Sequence, residues 1–380
     1  MHVMILGCRG IPANHGGFET FAEDLAVFLT GRGHNVTVYC HASPGKRCSE
    51  DLWNGIRRVH IPAQTNPFGT LTFDWKAILH SSRQKGVVLN LGYNTAFFNS
   101  IHRLRGVPCV MNMDGIEWKR QKWTLPQRVW LWMNEIWGAT IANHLVADHP
   151  EISKHLQRHT PARKITTIYY GAEEAQPMDE SCLQPYGIKS KEYYLVIARP
   201  EPENSILTIV SAYSKRPRHA KLVVLGNYIP NSNPYHRKVM DESSPGVCFL
   251  GSIYSREIVQ ALRFHAKGYI HGHTVGGTNP SLVEALAAGN AIISHDNRFN
   301  RWVAGKSAQY FGTTDSLARI LDRVEDDPAL LLTMENGSRQ RHREQFMQQD
   351  ILASYEEILL RFAGLGQEAA QLLPEMRSKF

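Results

Sequence analysis

The sequence predicts an α/β protein made of two doubly wound, Rossmann-like domains. Apolar, strand-like runs alternate with helical segments along the chain, which is typical of parallel sheets covered by helices on both faces. The 380 residues are enough for two such domains. Two glycine-rich loops each follow an apolar strand directly, at the edge where doubly wound sheets bind ligands. We therefore expect two facing domains with the active site in the cleft between them.

The alternating pattern predicts thirteen strands. Seven lie in the first half, over residues 2–6, 35–40, 57–61, 87–91, 107–113, 142–147 and 165–169. Six lie in the second half, over residues 193–198, 220–225, 246–250, 267–271, 290–294 and 308–311. A linker-like segment over 169–177 divides the halves, and 350–362 has a helical pattern. The expected domains are residues 1–172 and 173–355, followed by a helical tail over 356–380 that packs back toward the N-terminal domain.

The composition is that of a soluble globular protein, with 43% hydrophobic and 20% charged residues. No apolar run reaches the ~18–20 residues that span a bilayer. Met1 leads straight into the first strand, so we expect no signal peptide. The six cysteines are scattered without metal-type spacing, which favours reduced thiols in a cytoplasmic protein.

The positive charge is concentrated in the first half of the chain. Residues 1–172 hold 19 basic and 11 acidic residues, a net +8, whereas the remainder is close to neutral. A basic half suits nucleic acid, anionic lipid or a phosphorylated substrate. The chain has no zinc-finger spacing and no RNP-type aromatic motif, so a nucleic-acid partner is not expected.

The glycine-rich loop of the second half follows the strand 267–271 and leads into a helix that carries Glu284. Backbone N–H groups at a helix N-terminus bind anions, and Gly276 and Gly277 let a ligand approach the main chain closely. A carboxylate one turn into the helix can accept two hydrogen bonds from ribose hydroxyls. This combination predicts half of a nucleotide-sugar site.

The first glycine-rich loop, residues 7–17, lies between the first strand and a helix over 18–29. Gly7 and Gly10 are three residues apart, so the G-x-G-x-x-G spacing of dinucleotide sites is absent. The second strand also ends without the Asp or Glu that holds a ribose in such sites. The loop therefore favours a phosphate ligand over NAD.

A stretch rich in Trp and basic residues follows the strand 107–113. Trp favours membrane interfaces, and Lys and Arg attract anionic lipid. We interpret the stretch as a docking edge for a membrane-held acceptor, and the alternative is that the Trp side chains fill the N-terminal core. The docking residues are Trp118, Lys119, Arg120, Lys122 and Trp123, continued by Arg128, Trp130, Trp132 and Trp137.

Four segments in the same order resemble one known family. They are 10–20 (GIPANHGGFET), 112–120 (NMDGIEWKR), 198–204 (ARPEPEN) and 272–285 (GHTVGGTNPSLVEA). The chain resembles the GT-B glycosyltransferases of family 4, which are retaining nucleotide-sugar enzymes. It is most similar to the subset that resembles bacterial rhamnosyltransferases of surface-polysaccharide assembly. The resemblance covers residues 1 to about 360.

The resemblance implies a donor site. Gly16 and Gly17 would contact the donor diphosphate, Arg199 would neutralise it with its guanidinium fork, and Glu284 would hold the ribose. The alternatives are a surface cation at a strand end for Arg199 and a Glu favoured by the helix dipole for Glu284. The other donor-binding candidates are Asn204, Gly277, Thr278, Asn279, Pro280 and Ser281.

Three further residues are catalytic candidates beside Arg199. Asp114 follows a strand where the family often has a His, and Asp114 or Glu117 could hydrogen-bond the donor hydroxyls or orient the acceptor. His15 lies in the first glycine-rich loop. The alternatives are that Asp114 caps the following helix and that His15 is an ordinary polar loop residue.

Two positions depart from the family pattern. Gly276 replaces a Glu that usually touches the donor sugar, and Asn204 replaces a Lys that usually adds a phosphate cation. The backbone around residues 278–281 would then do part of this work, although Pro280 has no N–H. The lost Glu points to an unusual sugar such as the rhamnose of dTDP-rhamnose.

The residues and the resemblance together predict a cytoplasmic enzyme, peripheral on the inner face of a membrane. It moves a sugar, with retention, from a nucleoside diphosphate to a glycan or lipid-diphosphate-glycan acceptor. Neither a cofactor nor a metal is expected, since no Asp-x-Asp motif is present and the His271–His273 pair lacks a third ligand. The open alternatives are a GT-B-fold epimerase or phosphorylase, and a non-catalytic nucleotide-sugar-binding protein.

Overall fold

The computed structural model describes residues 1–13, 16–64, 66–120 and 122–364. It contains two compact units. The first unit joins Met1–Tyr169 to the chain from Asp350 onward, and the second unit is Tyr170–Gln349. The chain therefore passes from one unit to the other between residues 169 and 170 and between residues 349 and 350. The domain boundaries expected from the sequence were 172/173 and 355/356. His15 and the tail beyond residue 364 lie outside the described residues.

The first unit holds an eight-stranded sheet in the order β3-β4-β2-β1-β5-β6-β7-β8. Every pairing is parallel except that of β3 with β4. The strand order reverses direction between β1 and β5, which is the switch point where such sheets bind ligands. The strands are β1 His2–Leu6, β2 Asn35–Ala42, β3 Ser49–Trp53, β4 Ile56–Pro62, β5 Val87–Leu91, β6 Cys109–Asn112, β7 His144–Ala147 and β8 Ile165–Thr167.

The second unit holds a six-stranded parallel sheet in the order β11-β10-β9-β12-β13-β14. Its order reverses between β9 and β12. The strands are β9 Tyr193–Ile197, β10 Lys221–Leu225, β11 Val247–Gly251, β12 Gly268–His271, β13 Ala291–His295 and β14 Gln309–Phe311.

Helices connect the parallel strands, as crossover connections require. Helix α13 begins at the end of the second unit and continues into the first. The described residues form helices α1 Gly17–Gly31, α2 Pro67–Ser81, α3 Ser100–Leu104, α4 Leu125–Ile141, α5 Pro150–Leu156, α6 Ile206–Ser214, α7 Pro234–Asp241, α8 Arg256–His265, α9 Pro280–Ala287, α10 Arg298–Ala304, α11 Thr314–Asp326, α12 Pro328–Gln345 and α13 Gln348–Phe362.

The strands form because their apolar runs are covered on both faces. Val3, Met4 and Ile5 of β1 are fully buried, so β1 lacks the polar alternation of a half-exposed strand. In the second unit, Val196 of β9 and Ile270 of β12 belong to one buried core cluster. All thirteen predicted strands are confirmed, with shifts of at most two residues at their ends.

Strand β3 is the strand that the sequence analysis missed. It is an edge strand whose residues 49–52 are exposed, so it lacks the apolar run used to find the others. It pairs antiparallel with β4 through Asn54–Gly55, both of which have positive φ (50° and 79°). Asn-Gly is the preferred pair for such a two-residue hairpin turn, and it was the signal available in the sequence.

Among the described residues, no helix combines the length and the apolar character needed to cross a membrane.

Candidate functional site

The second unit brings two predicted site segments together at its switch point. The loop after β9 carries Arg199, and the loop after the neighbouring strand β12 leads into α9. Thr274 fastens the two loops, since its backbone N–H and its hydroxyl both donate to the Glu203 carbonyl at 2.9 Å. A Cβ on Gly272 would lie 2.1 Å from the Asn204 carbonyl oxygen, so this close approach requires glycine. The site is therefore held in one arrangement before any ligand binds.

Arg199 is exposed at the carboxyl end of this edge. Within the described part of the chain, no side chain or carbonyl pairs with its guanidinium. Its backbone is held firmly, because the Arg199 carbonyl accepts from the Glu201 N–H at 2.7 Å and from the Asn204 amide at 2.8 Å. Its backbone is fixed, and its planar guanidinium has N–H groups that no other described residue uses. This arrangement suits the binding of phosphate oxygens.

Asn204 lies beneath this loop and is 3% exposed. Its Nδ2 is committed to the Arg199 carbonyl. Its Oδ1 is buried and has no hydrogen-bond partner among the described residues. Asn204 therefore positions Arg199 in this structure, and it does not present a cation to the surface as the Lys of the family pattern would.

The N-terminus of α9 offers fewer backbone donors than the sequence suggests. Pro280 has no N–H, and the Ser281 N–H donates to the Asn279 side chain at 3.0 Å. The N–H groups of Leu282 and Val283 both donate to the Asn279 carbonyl. An anion at this end must therefore use the dipole of α9 and the N–H groups of the preceding loop. Thr278 of that loop is buried, at 2% exposure.

Gly276 explains why the usual Glu is absent from this loop. Its φ is +127°, in a region that L-residues rarely adopt, although a Cβ there would meet open space. A Glu at this position would require a different loop backbone.

Glu284 projects from α9 toward Arg263 of α8, and the two form an ion pair. The Arg263 side chain is 8% exposed, whereas that of Glu284 is 38% exposed. Arg263 also donates to the Ser281 hydroxyl at 3.1 Å, and this hydroxyl lies 2.7 Å from the Tyr269 hydroxyl. The buried Arg263 thus orients a carboxylate that remains open to solvent. Sequence reasoning missed Arg263, because a single Arg on a helix gives no sign of its tertiary partner.

His271 and His273 stack face to face, with ring centroids 4.3 Å apart and planes 9° apart. Burial lowers the pKa of His271 well below its ordinary value, and the neighbouring His273 and His295 add to this effect. In the described residues, no group of three metal-ligating atoms includes either ring. Desolvation therefore favours the neutral form of the His271 imidazole.

The first unit holds the other glycine-rich loop at its own switch point. Gly7 has φ +85°, and a Cβ there would lie 2.0 Å from the Leu91 carbonyl oxygen of β5, so only glycine fits. Gly16 caps α1 in an extended conformation, and α1 begins at Gly17. Glu19 accepts from the Arg9 N–H at 3.0 Å, which ties the loop to the helix.

Asp114 follows β6 in a left-handed conformation (φ +49°). Its N–H donates to Asn112 Oδ1 at 2.8 Å. The short helix that follows, Glu117–Lys119, is capped by Ile116 without a side-chain bond, so Asp114 is not its cap. Burial raises the pKa of Asp114 from 3.8 to about 6, with a further rise from Glu117 and opposing effects from the Gly115 N–H, Arg120 and Lys122. A carboxyl with this pKa can exchange a proton near neutral pH.

We expect Asp114→Asn to stabilise the protein at neutral pH. The folded pKa lies above the unfolded one, so the ionised carboxylate costs stability above pH ~6, and this cost disappears below pH ~4. The cost is up to about 3 kcal/mol, and Asn keeps both the shape and the left-handed backbone. Chemical denaturation of both proteins from pH 4 to 8 measures the difference. Equal stability at pH 7.5 and parallel pH profiles would contradict this assignment.

The Glu117 carboxylate already forms contacts with neighbouring basic and aromatic side chains. Its carboxylate accepts from Arg120 at 2.7 Å and from the Trp123 indole N–H at 3.3 Å, and Lys122 lies 3.8 Å away. Trp118 similarly donates its indole N–H to Glu135 at 3.0 Å. Trp118 and Trp123 are therefore partly buried and held by carboxylates, whereas Lys119 and Lys122 are exposed.

The exposed aromatic residues lie further along the chain, on α4. We call this surface the α4 aromatic face. It comprises Val129, Trp130, Trp132, Met133 and Trp137, which are 41–55% exposed, and Phe97, which is 51% exposed. The ring of Phe97 lies tilted against that of Trp137, with the centroids 5.3 Å apart. The sequence analysis noted these Trp residues but gave the leading role to Trp118 and Trp123. Helical spacing from 129 to 133 to 137 was the signal for one exposed face.

Comparison with known proteins agrees with this architecture. Residues 15–176 match the model of the family described as Glycosyltransferase Family 4. No curated protein sequence matches the chain.

Several solved structures share the fold over nearly the whole chain. Sucrose-phosphate synthase from Thermosynechococcus elongatus has a TM-score of 0.77 at 16% identity, covering 98% of this chain and 99% of that one. HepE from Anabaena, in complex with UDP and glucose, has a TM-score of 0.75 at 14% identity, covering 94% and 98%. A glycosyltransferase from Rickettsia africae has a TM-score of 0.72 at 14% identity, covering 95% and 98%. Residues 15–176 thus match a family 4 glycosyltransferase domain, in a chain that has the GT-B glycosyltransferase fold.

Proposed function

We propose that the protein is a retaining hexosyltransferase that uses a nucleoside diphosphate-sugar donor. The proposal rests mainly on two side-chain groups at the switch point of the second unit, a guanidinium and a carboxylate, that are accessible to a ligand. Arg199 presents an exposed, uncommitted guanidinium, and Glu284 presents a half-exposed carboxylate held by Arg263. HepE, which shares the fold, was solved with UDP-glucose. A nucleoside diphosphate offers the matching pair of groups, a diphosphate and a ribose diol.

In this proposal, the second unit stabilises the leaving group. The bond between the anomeric carbon and the diphosphate oxygen breaks, and its electron pair leaves with the diphosphate toward Arg199 and the N-terminal end of α9. The acceptor oxygen attacks from the same face of the sugar, and its proton passes to the departing phosphate. Positive charges held in place around the departing diphosphate stabilise the negative charge that develops on it in the transition state. This stabilisation supplies most of the catalysis, so no protein base is required.

The first unit contributes the remaining candidates. In the proposal, Gly16 and Gly17 bring backbone N–H groups to the diphosphate, and Asp114 hydrogen-bonds the donor hydroxyls or orients the acceptor. His15 keeps its assignment as a loop candidate. Glu117 has a supporting role, because its carboxylate already serves Arg120 and Trp123.

The donor sugar is assigned from the loop conformation. Gly276 has no side chain to contact the sugar, and its φ of +127° disfavours a Glu there. We infer that the donor sugar lacks the hydroxyl that this Glu would bind. We propose dTDP-rhamnose as this donor, in the assembly of a surface polysaccharide.

We propose that the acceptor is a lipid-diphosphate-linked glycan, reached at the inner face of a membrane. The α4 aromatic face supports this proposal. Exposed Trp and Met side chains on a helix can insert into the lipid headgroup region, and nearby basic residues attract anionic lipid. The exposed cations Lys119 and Lys122 precede α4 in the chain and suit anionic headgroups.

We expect Met133→Asp to weaken binding to anionic vesicles by roughly 10–100-fold, since a buried Met side chain contributes about 1.5–3 kcal/mol. Co-sedimentation with vesicles containing phosphatidylglycerol measures the effect. The matched control is Leu332→Asp, which alters a 56% exposed Leu on α12 of the second unit and should bind as the parent does. Equal binding by both variants would remove the α4 aromatic face from the proposal.

The proposed reaction is tested by incubating the protein with nucleotide sugars and a membrane lipid extract. Transfer predicts acceptor-dependent release of nucleoside diphosphate and a glycolipid whose new linkage keeps the anomeric configuration of the donor, read by NMR. Release of an isomerised donor without acceptor would favour the epimerase alternative, and an inverted linkage would overturn retention.

A further inference from the structure

A cluster of metal-ligating side chains lies in the first unit, on α4 and at the end of α5. It consists of Glu135, His155 and His159, whose ligand atoms all lie within 4.8 Å of one another. We propose that this cluster binds one zinc ion through three protein ligands. The proposed donor-site residues Arg199 and Glu284 belong to the second unit, and neither is among the three ligands.

Both imidazoles converge on the same carboxylate oxygen. His155 Nε2 lies 2.7 Å and His159 Nε2 lies 3.5 Å from Glu135 Oε1. Glu135 Oε1 can accept a hydrogen bond from each ring, and a divalent cation can be shared by the same three atoms. Ligand atoms around a tetrahedral zinc ion lie roughly 3.3 Å apart, so small side-chain movements would complete the site.

The burial of the three residues supports a cation. Glu135 is 1% exposed and the side chain of His155 is 8% exposed, so the carboxylate has little water to solvate its charge. His159 is 21% exposed, which gives an ion access and leaves room for water as a fourth ligand. Two His nitrogens and one carboxylate oxygen with one open position suit zinc better than magnesium or calcium, which prefer oxygen ligands.

The Trp118 side chain already orients the carboxylate. The Trp118 indole N–H donates to Glu135 Oε2 at 3.0 Å, which leaves Oε1 for the two His residues. Partners of this kind fix the direction of a metal ligand. Through Trp118, the ion would also hold the segment that carries Asp114 and Glu117.

The experiment uses the full chain, stripped with a chelator and then titrated with Zn²⁺, Co²⁺ or Mg²⁺. We expect one Zn²⁺ to remain bound per chain after gel filtration, a rise of several degrees in Tm, and the visible bands of tetrahedral Co²⁺. Mg²⁺ should give neither stabilisation nor retention. Zinc that is not retained, or retained without a Tm rise, overturns the proposal and leaves a His–Glu ion pair.

Two variants of the partly exposed His159 test the ligand set. His159→Gln should lower zinc affinity by more than the ~10–100-fold typical of losing a group that only hydrogen-bonds to a ligand. His159→Cys should restore binding, because a thiolate is a zinc ligand. The control is His219→Gln, which alters an exposed His of the second unit and should bind as the parent does. Parent-like binding by His159→Gln, or no recovery with Cys, overturns the assignment.

Discussion

Arg199→Ala is expected to lower the rate of sugar transfer by about 10²–10³-fold, the usual cost of removing one fixed donor from a developing negative charge. The Arg199 guanidinium is exposed and has no partner among the described residues, so its loss leaves no group unpaired. The melting temperature should therefore stay at its parent value. Nucleoside diphosphate release under steady-state conditions measures the rate.

Two further variants separate charge from geometry. Arg199→Lys keeps the charge and loses the planar fork, so it should retain part of the activity. Arg319→Ala removes an exposed cation from α11 of the same unit and should keep full activity. Parent-like turnover by Arg199→Ala would contradict the proposed role of the guanidinium.

Glu284→Ala is expected to abolish nucleoside diphosphate binding and to destabilise the fold by about 3 kcal/mol, because it leaves the buried Arg263 without its carboxylate. This value is at the low end for a buried pair, since Glu284 itself is 38% exposed. Urea denaturation measures the stability, and calorimetric titration measures the binding.

A double variant distinguishes the two roles of Glu284. Replacing the pair by apolar residues, Glu284→Leu with Arg263→Met, removes the unpaired guanidinium and should recover most of the stability. Nucleotide binding should stay lost, because the carboxylate proposed to hold the ribose is still absent. Recovery of binding together with stability would show that Glu284 acts only in the fold.

The sequence predicted the strands well because a parallel sheet covered on both faces needs continuous apolar runs, such as those of β1 and β9. Edge strand β3 has no buried face, so it left only the Asn54–Gly55 turn as a signal. The GT-B fold was predicted correctly from four short segments, although the structures that share it are 14–16% identical in sequence.

Site details that depend on tertiary contacts were not predictable. The partnership of Arg263 with Glu284 joins two helices, and no sequence spacing encodes it. The N–H groups of Ser281, Leu282 and Val283 donate to Asn279, an arrangement that the sequence did not indicate. Glu135, His155 and His159 come together through packing, and only the His-x-x-x-His spacing was visible beforehand.

The central claim is a nucleoside diphosphate site at the switch point of the second unit. Its most direct test is the melting temperature of the full chain with UDP, dTDP, GDP, CMP or ADP, beside Arg199→Ala and Glu284→Ala. A ligand that binds the folded state raises Tm by mass action. We predict that one nucleoside diphosphate raises the Tm of the parent and that both variants lose the shift. A parent that responds to none of them, or variants that respond as the parent does, would contradict the claim.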